Sequence, residues 1–233
     1  GSPGPMDLCL VLDGSGSMVG DAIMQSREAV RSIARLLGDG DRLQVLRFGS
    51  SLQPMFRRLM PCKAAVRQAL GELAGTLEAN LGGTEMQPAL LRALRDLGPR
   101  QDGRTRAILL VTDGAVQPSD IAGAQAELIE AGVRVFVVAV GSSAGVEVLA
   151  PLAHKTGAAI ERAILGESID AAAERMARRA RHPAPATIQL TWPGADAQVL
   201  PHAPVYPGDA FELAVVATKA PTDTVTVEVA GAR

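Results

Sequence analysis

Two apolar runs that each end in an Asp-Gly pair constrain the fold of this chain more than any other feature. Residues 8–12 precede the letters DGSGS at 13–17, and residues 106–112 precede Asp113-Gly114. Runs without polar alternation are typical of parallel strands that are covered on both faces. We therefore predict two buried parallel strands whose carboxyl ends carry acidic and hydroxyl side chains.

The segment 13–17 offers three oxygen donors, Asp13, Ser15 and Ser17, at a spacing of two residues. Hard oxygens at close quarters suit Mg²⁺ or Mn²⁺ and suit softer metal ions poorly. The intervening glycines allow the backbone to turn tightly enough for the three side chains to face one point. Because no Lys follows these glycines, a phosphate-binding P-loop is excluded.

Strands and helices alternate along residues 6–181. Further strands are predicted at 41–48, 52–59, 134–140 and 158–162, and helices at 21–37, 63–73, 86–96, 119–131, 146–156 and 168–181. Such alternation predicts an α/β fold with a doubly wound sheet and right-handed crossovers. Ligands bind such sheets at the carboxyl ends of the strands, so Asp13 and Asp113 are expected to meet there. The helix at 86–96 follows Gly82-Gly83-Thr84, which places Thr84 at the same edge.

Together, Asp13, Ser15, Ser17, Thr84 and Asp113 resemble the metal-ion-dependent adhesion site of von Willebrand factor type A (vWA) domains, over roughly residues 6–181. The resemblance implies a mostly parallel six-stranded sheet in the order 3-2-1-4-5-6, with strand 3 antiparallel. It also implies that the two serines and the threonine bind the metal directly. The two aspartates would act mostly through bridging waters.

This donor set predicts a binding function without catalysis. Neutral hydroxyls leave the charge of a divalent ion poorly quenched, and Mg²⁺ keeps exchangeable positions. A Glu or Asp carboxylate from a partner protein would suit such a position. We expect a protein-binding module for adhesion or scaffolding that uses Mg²⁺, with Mn²⁺ or Ca²⁺ as alternatives.

Two other functions would each need residues that the sequence lacks. A metal-dependent phosphatase or phosphotransferase would use Asp13 as nucleophile, but no second carboxylate follows two residues later. The three histidines, at 154, 182 and 202, all lie in the last third of the chain. Dinucleotide binding would need a third glycine after Gly14 and Gly16, where Val19 stands, so this function is disfavoured.

Composition limits the partners and the compartment. A formal net charge of −2 gives no reason to expect nucleic acid, and no apolar stretch is long enough for direct membrane insertion. Two lone cysteines fit a reducing compartment, so a cytoplasmic location is expected. The preference for Arg over Lys and the abundant Ala suggest a bacterial genome. An AAA+ complex or a defence system could then contain the partner.

The two ends of the chain lie outside the alternation of strands and helices at 6–181. Residues 1–5 are expected to be a cloning remnant, and residues 182–186 a proline-containing linker after the vWA domain. Residues 187–233 are expected to form a partial, sandwich-like β segment, with strands at 187–192, 197–200, 211–217 and 224–229. Clean alternation in residues 211–215 predicts that one face of this segment is buried.

Overall fold

A computed structural model describes residues 4–142, 145–162 and 168–230, so the first three residues of the expected cloning remnant lie outside it. The strands are β1 (Met6–Asp13), β2 (Arg42–Phe48), β3 (Leu52–Pro54), β4 (Met60–Pro61), β5 (Thr105–Thr112), β6 (Arg134–Ala139), β7 (Ile160–Arg162), β8 (Thr187–Thr191), β9 (Ala197–Val199), β10 (Val215–Ala217) and β11 (Thr226–Ala230). The helices are α1 (Asp21–Leu36), α2 (Ala64–Thr76), α3 (Met86–Leu97), α4 (Ala122–Glu130), α5 (Val146–Lys155) and α6 (Ile169–Ala180). The chain divides between Arg181 and His182 into two compact units.

The first unit contains a mostly parallel sheet in the order β3-β2-β1-β5-β6-β7, with β3 antiparallel to β2. This confirms the α/β doubly wound fold and the expected strand order. Strand β1 lies at the centre, parallel to β2 on one side and to β5 on the other. The order therefore reverses between β1 and β5, which is where open α/β sheets form their binding crevice.

Among the described residues the sheet has seven strands where six were expected, because β4 adds a second short partner of β2. The strand predicted at 52–59 is interrupted after Pro54 and forms only β3, and β4 lies just beyond it; both pair antiparallel with β2. The buried side chain of Gln44 explains the interruption: its Nε2 donates to the Phe56 carbonyl at 2.9 Å, and its Oε1 accepts from the Phe56 amide at 3.3 Å. A side chain thus satisfies backbone groups that a continuous strand would have paired with β2.

Helices cover both faces of the sheet. Side chains of β1 alternate, so that Cys9 and Val11 share a buried cluster with residues of α3, α4 and α5. Helices α1 and α6 pack against each other, and both contact β5. Every residue of β1 is buried, which explains why its sequence lacks polar alternation. In the described ranges, no helix has both the length and the apolar character needed to cross a membrane.

The predicted helix at 119–131 begins differently from expectation. A short 3-10 helix, Pro118–Asp120, precedes α4, so the prediction of one continuous helix from residue 119 is wrong and α4 begins at Ala122. Gln117 is the residue that caps this turn, and its backbone amide donates to Asp120 Oδ2 at 2.8 Å. The reciprocal capping of Gln117 and Asp120 competes with an earlier start of the α-helix.

The second unit contains two small antiparallel sheets, β9 with β10 and β8 with β11. The strand expected at 211–217 is reduced to β10. Phe211 lies outside that strand and is 39% exposed, so the predicted burial of one face does not extend to it. Short pairs of strands of this kind gain little stability from their own hydrogen bonds.

Candidate metal site

The site begins with Asp13, the last residue of β1, whose carboxylate is 2% exposed. Its Oδ1 accepts a hydrogen bond from the backbone amide of Ser15 at 2.9 Å. Its Oδ2 accepts one from Thr112 Oγ1 at 2.6 Å. Both carboxylate oxygens therefore have a donor, and the side chain is held beneath the loop that follows β1.

The hydroxyls of Ser15 and Ser17 lie above this carboxylate, with their Oγ atoms 3.0 Å apart. Ser15 is 1% exposed, whereas Ser17 is exposed on a short 3-10 helix, Gly16–Met18. Neighbouring ligands of an octahedral Mg²⁺, each about 2.1 Å from the ion, are separated by about 3.0 Å. The separation and chemistry of the two hydroxyls thus fit a magnesium-sized ion.

Thr112 belongs to this site although the sequence analysis did not select it. Besides donating to Asp13, its Oγ1 accepts from the backbone amide of Gly114 at 3.0 Å. One hydroxyl thereby links the end of β1 to the turn after β5. The available signal was a hydroxyl residue at the end of an otherwise apolar strand, which is a costly place for an unpaired polar group.

Asp113 follows β5 and is half-buried. Its Oδ1 accepts from the amide of Ala115 at 3.0 Å, and its backbone carbonyl accepts from the amide of Gly145 at 2.8 Å. Gly114 has a φ of +74°, and a Cβ at this position would lie 2.5 Å from the Gly145 carbonyl oxygen. The turn that carries Asp113 therefore requires glycine both for its backbone angle and for the close approach of the neighbouring loop.

The double-glycine loop before α3 is joined to the loop after β1 through backbone atoms. The amide of Gly16 donates to the Gly82 carbonyl at 2.7 Å, and the amide of Leu81 donates to the Gly14 carbonyl at 2.9 Å. The amide of Gly83 donates to Ser50 Oγ at 2.7 Å. These bonds bring the third predicted segment to the same edge of the sheet as Asp13.

Thr84 differs in position from the other four predicted residues. It is half-buried and lines a cavity of about 230 Å³ together with Ser119 and Asp120. Ser17 and Asp113 instead line a separate cavity of about 490 Å³. The structure thus joins Asp13, Ser15 and Ser17 by direct contacts and places Asp113 beside them, while Thr84 lies on the adjoining loop, facing a neighbouring cavity.

The larger cavity has the volume of an ordinary ligand pocket. It is formed by the loop after β1, the start of α1, the turn after β5 and the end of β6. Its lining residues are Ser17, Val19, Asp21, Ala22, Asp113, Gly114, Ala115, Val140, Gly141, Ser142 and Gly145. The described part of this lining carries two carboxylates and no cationic side chain.

The pKa of Asp13 reflects its own burial, its hydrogen bonds and the charge of Asp113. Desolvation raises its pKa, hydrogen bonds from Ser15 and Thr112 lower it, and the charge of Asp113 raises it further; the net pKa lies above the ordinary value. A cation beside this pair would relieve the repulsion. The described residues contain no group of three or more His, Cys, Asp or Glu arranged for a metal, so a metal here would depend on hydroxyl oxygens.

Comparisons with known proteins identify the family. A family model described as von Willebrand factor type A domain matches residues 6–159. A von Willebrand factor A domain-containing protein from Dictyostelium discoideum is 24% identical over 186 residues, which are 80% of this chain and 20% of that relative. Inter-alpha-trypsin inhibitor heavy chain H4 from Homo sapiens is 31% identical over 116 residues, covering 47% of this chain and 12% of that protein. The chain thus spans a fifth or less of the length of these two relatives.

A solved structure agrees at the level of the fold. A von Willebrand factor type A protein from Catenulispora acidiphila superposes with a TM-score of 0.67 at 22% identity, over 84% of this chain and 47% of that one. The strand order, the position of the Asp-Gly turns and the family model agree with one another. On these grounds, the chain belongs to the von Willebrand factor type A domain family.

Proposed function

We propose that this chain is a divalent-metal-dependent protein-binding module that captures an acidic side chain of a partner. The observation that carries the proposal is the pair of serine hydroxyls 3.0 Å apart above the buried Asp13 carboxylate. These oxygens and Asp113 form a donor set suited to Mg²⁺, with Mn²⁺ or Ca²⁺ as alternatives. The bound ion would supply the positive charge that a partner's Glu or Asp carboxylate needs.

In this proposal the residues have separate roles. Ser15 and Ser17 hold the ion through neutral oxygens, and Asp13 orients the Ser15 amide from below. Asp113 lines the cavity in which the partner's carboxylate would lie. Since neither hydroxyl carries a charge, attraction for an incoming carboxylate is retained.

Thr84 has a conditional role. It lines the neighbouring cavity, and the loop before it is held to the loop after β1 by backbone hydrogen bonds. We propose that Thr84 joins the ligands when the partner is bound. Thr84→Ala would then weaken partner capture more than it weakens metal binding by the free chain.

No observation favours the phosphatase or phosphotransferase alternative. Among the described residues, the cavity lined by Ser17 and Asp113 has no His, Lys or Arg that could protonate a leaving group or bind phosphate. We therefore propose no catalysis. The cytoplasmic location, the bacterial origin and an AAA+ or defence-system partner stay predictions.

Isothermal titration of the metal-free 233-residue chain with Mg²⁺ tests the first half of the proposal. We expect saturable binding in the wild type and at least a ten-fold loss of affinity in Ser17→Ala. Ser51→Ala is the matched control because Ser51 is an exposed serine on the loop after β2. Absence of Mg²⁺ and Mn²⁺ uptake at millimolar concentration would contradict the proposed metal site.

Partner capture tests the second half. The immobilised chain is incubated with extract of its native host in Mg²⁺ or in EDTA, beside Asp13→Ala and Thr84→Ala. A protein retained only by the wild type in Mg²⁺ is expected, and blocking its acidic residues by amidation should abolish retention. A partner that binds equally well in EDTA would overturn metal-mediated capture.

A further inference from the structure

Three exposed arginines lie on two segments that meet at a distance from the candidate metal site. Arg57 and Arg58 belong to the segment between β3 and β4, and Arg95 lies in the last turn of α3. Within the described ranges, none of these three side chains forms an ion pair or a hydrogen bond. These three residues are the basic face.

The buried amide of Gln44 brings the two segments of the basic face together. Its Nε2 donates both to the Phe56 carbonyl and to Asp96 Oδ2, each at 2.9 Å. Phe56 directly precedes Arg57, and Asp96 directly follows Arg95. Residues adjacent to the basic face are therefore fixed by one side chain, and the cations of the two segments are held on the same part of the surface.

The carboxylate of this surface does not balance the charge of the basic face. Asp96 Oδ1 accepts from Arg92 Nε at 2.9 Å, and Asp96 Oδ2 accepts from Gln44. Both of its oxygens are thus in use, and its charge is already matched by Arg92. Elsewhere on the surface an exposed arginine does find a carboxylate, since Arg67 pairs with Asp39 at 2.6 Å.

Local effects explain single arginines but not their combination. A cation in the last turn of α3 interacts favourably with the helix dipole, which accounts for Arg95. Charged residues beside a short edge strand discourage pairing with another chain, which accounts for Arg57 and Arg58. Neither effect requires these cations to lie together. Their juxtaposition through Gln44 is therefore a separate observation that bears on binding.

We infer that the basic face binds an acidic segment of a partner protein, independently of the metal. Charge complementarity carries the inference, because each guanidinium can bind a carboxylate through two parallel N–H groups and none has one in the described structure. Arg95 lies about 14 Å along α3 from Met86, where the helix begins beside the candidate metal site. The two surfaces are thus separate.

Anionic partners of two other classes fit the basic face less well. Membrane surfaces are bound by cations that flank inserted apolar side chains, whereas Leu59 packs against the core and Met55 is only partly exposed. Single-stranded nucleic acid is bound by stacking on aromatic side chains, and Phe56 is likewise only partly exposed. The formal net charge of −2 also gives no general attraction for polyanions.

A synthetic acidic peptide tests the inference. A fluorescein-labelled peptide of alternating Glu and Ser is titrated with the full chain by fluorescence anisotropy, in EDTA and about 50 mM salt. We expect saturable binding that weakens as salt is added, and no binding of the same peptide with Gln in place of Glu. The triple variant Arg57→Gln, Arg58→Gln and Arg95→Gln is expected to bind about ten-fold more weakly, as for three exposed ion pairs.

A second triple variant is the matched control. Arg31→Gln, Lys155→Gln and Arg162→Gln remove the same charge from exposed residues of α1, α5 and β7. This variant is expected to bind the Glu peptide as the wild type does. Thermal unfolding of both variants checks that the fold is kept, and Mg²⁺ titration of the basic-face variant should match the wild type. Failure of the metal site would therefore leave the peptide result unchanged.

Four results would overturn the inference. The wild type might fail to bind the Glu peptide, or both triple variants could weaken binding equally, which would show an effect of net charge alone. Binding that occurs only in Mg²⁺ would assign the peptide to the metal site. Tighter binding of single-stranded DNA or of phosphatidylserine vesicles than of the peptide, lost in the basic-face variant, would assign this surface to a nucleic acid or a membrane.

Discussion

Thr112 illustrates how one hydroxyl can order a site to which it contributes no ligand. It donates to Asp13 Oδ2 at 2.6 Å and accepts from the Gly114 amide at 3.0 Å. It is fully buried, so neither bond can be replaced by bulk water. Without this hydroxyl, the buried Asp13 carboxylate would retain only its bond to the loop after β1.

Thr112→Val removes that hydroxyl while keeping the shape of the side chain. We expect the free energy of unfolding to fall by about 1–3 kcal/mol, because a buried carboxylate oxygen and a buried amide lose their partner. Urea unfolding in EDTA measures this loss, and Mg²⁺ titration is expected to show weaker binding.

Thr105→Val is the matched control at the other end of β5. The hydroxyl of Thr105 is buried and has no hydrogen-bond partner within the described residues. Its removal should be neutral or stabilising, since no bond is lost and an unsatisfied polar atom is removed. Equal destabilisation by the two substitutions would show that Thr112 has no special role.

At the scale of elements, the turn after β5 and the start of α5 are held together by two glycines. A Cβ on Gly114 would lie 2.5 Å from the Gly145 carbonyl oxygen, and one on Gly145 would lie 2.6 Å from the Gly114 carbonyl oxygen. The amide of Gly145 donates to the Asp113 carbonyl at 2.8 Å. The position of Asp113 therefore depends on a contact between two elements that are distant in sequence.

Gly114→Ala tests this dependence, because the new methyl group would force the two loops apart. We expect a loss of stability larger than the roughly 1–2 kcal/mol that a left-handed alanine costs by itself, and a weaker response to Mg²⁺. Thermal unfolding and metal titration measure the two effects.

Gly132→Ala separates the cost of a left-handed alanine from the effect of forcing the two loops apart. Gly132 also has a positive φ, of +62°, but a Cβ there would meet no atom within 4 Å. It should therefore show only the backbone cost and keep the wild-type affinity for Mg²⁺. A similar loss of metal affinity in both variants would argue against the loop contact.

At the scale of the whole molecule, the edge of the sheet opposite the site contains buried ion pairs. Asp7, whose side chain is fully buried, accepts from Arg42 Nε at 2.7 Å and forms an ion pair with Arg104 at 2.7 Å. Asp41 pairs with Arg181 at 2.6 Å and accepts from the Met6 amide at 3.0 Å. These contacts join the starts of β1 and β2 to the strand and the helix that arrive much later in the chain.

The pKa of each of these two carboxyls shows the balance of burial and pairing. Burial would raise the pKa of Asp7, but hydrogen bonds from Arg42 and Arg104 outweigh it, and the pKa lies below its ordinary value. For Asp41, burial is likewise outweighed, mainly by the bond from Arg181. A carboxyl whose pKa is lowered by folding stabilises the fold above the unfolded pKa of about 3.9, and this contribution is lost as the pH falls towards the folded value.

Asp7→Asn is therefore expected to lower stability at pH 7 by about 3–5 kcal/mol, because two arginines lose a buried partner. It should also make the loss of stability between pH 5 and pH 3 shallower than in the wild type. Urea unfolding across this range measures both effects. Asp39→Asn, which removes exposed ion pairs with Arg67 and Lys63, should change both the stability and the pH profile far less. A wild-type pH profile in Asp7→Asn would contradict the attribution of this loss of stability to Asp7.

Local patterns in the sequence predicted the fold class and the three segments that carry the candidate site residues, whereas the order of the sheet was predicted from the resemblance to vWA domains. Apolar runs identify buried strands, and the glycine-rich turn after such a run places Asp13 at the end of β1 and Ser15 and Ser17 directly after it, regardless of the rest of the chain. One deviation arose from a contact between two strands, since Gln44 of β2 interrupts the predicted strand at 52–59 by bonding to Phe56. The other is local, because the reciprocal capping of Gln117 and Asp120 shifts the start of α4.

Only the tertiary structure decided how the segments meet. In the structure, Thr112 donates to Asp13, Thr84 lines the neighbouring cavity, and Asp21 lines the same cavity as Ser17. Local patterns specify which residues end a strand, because side-chain periodicity and turn geometry act over a few residues. The distances between side chains on different strands depend on register and packing, which are set by contacts between residues far apart in sequence.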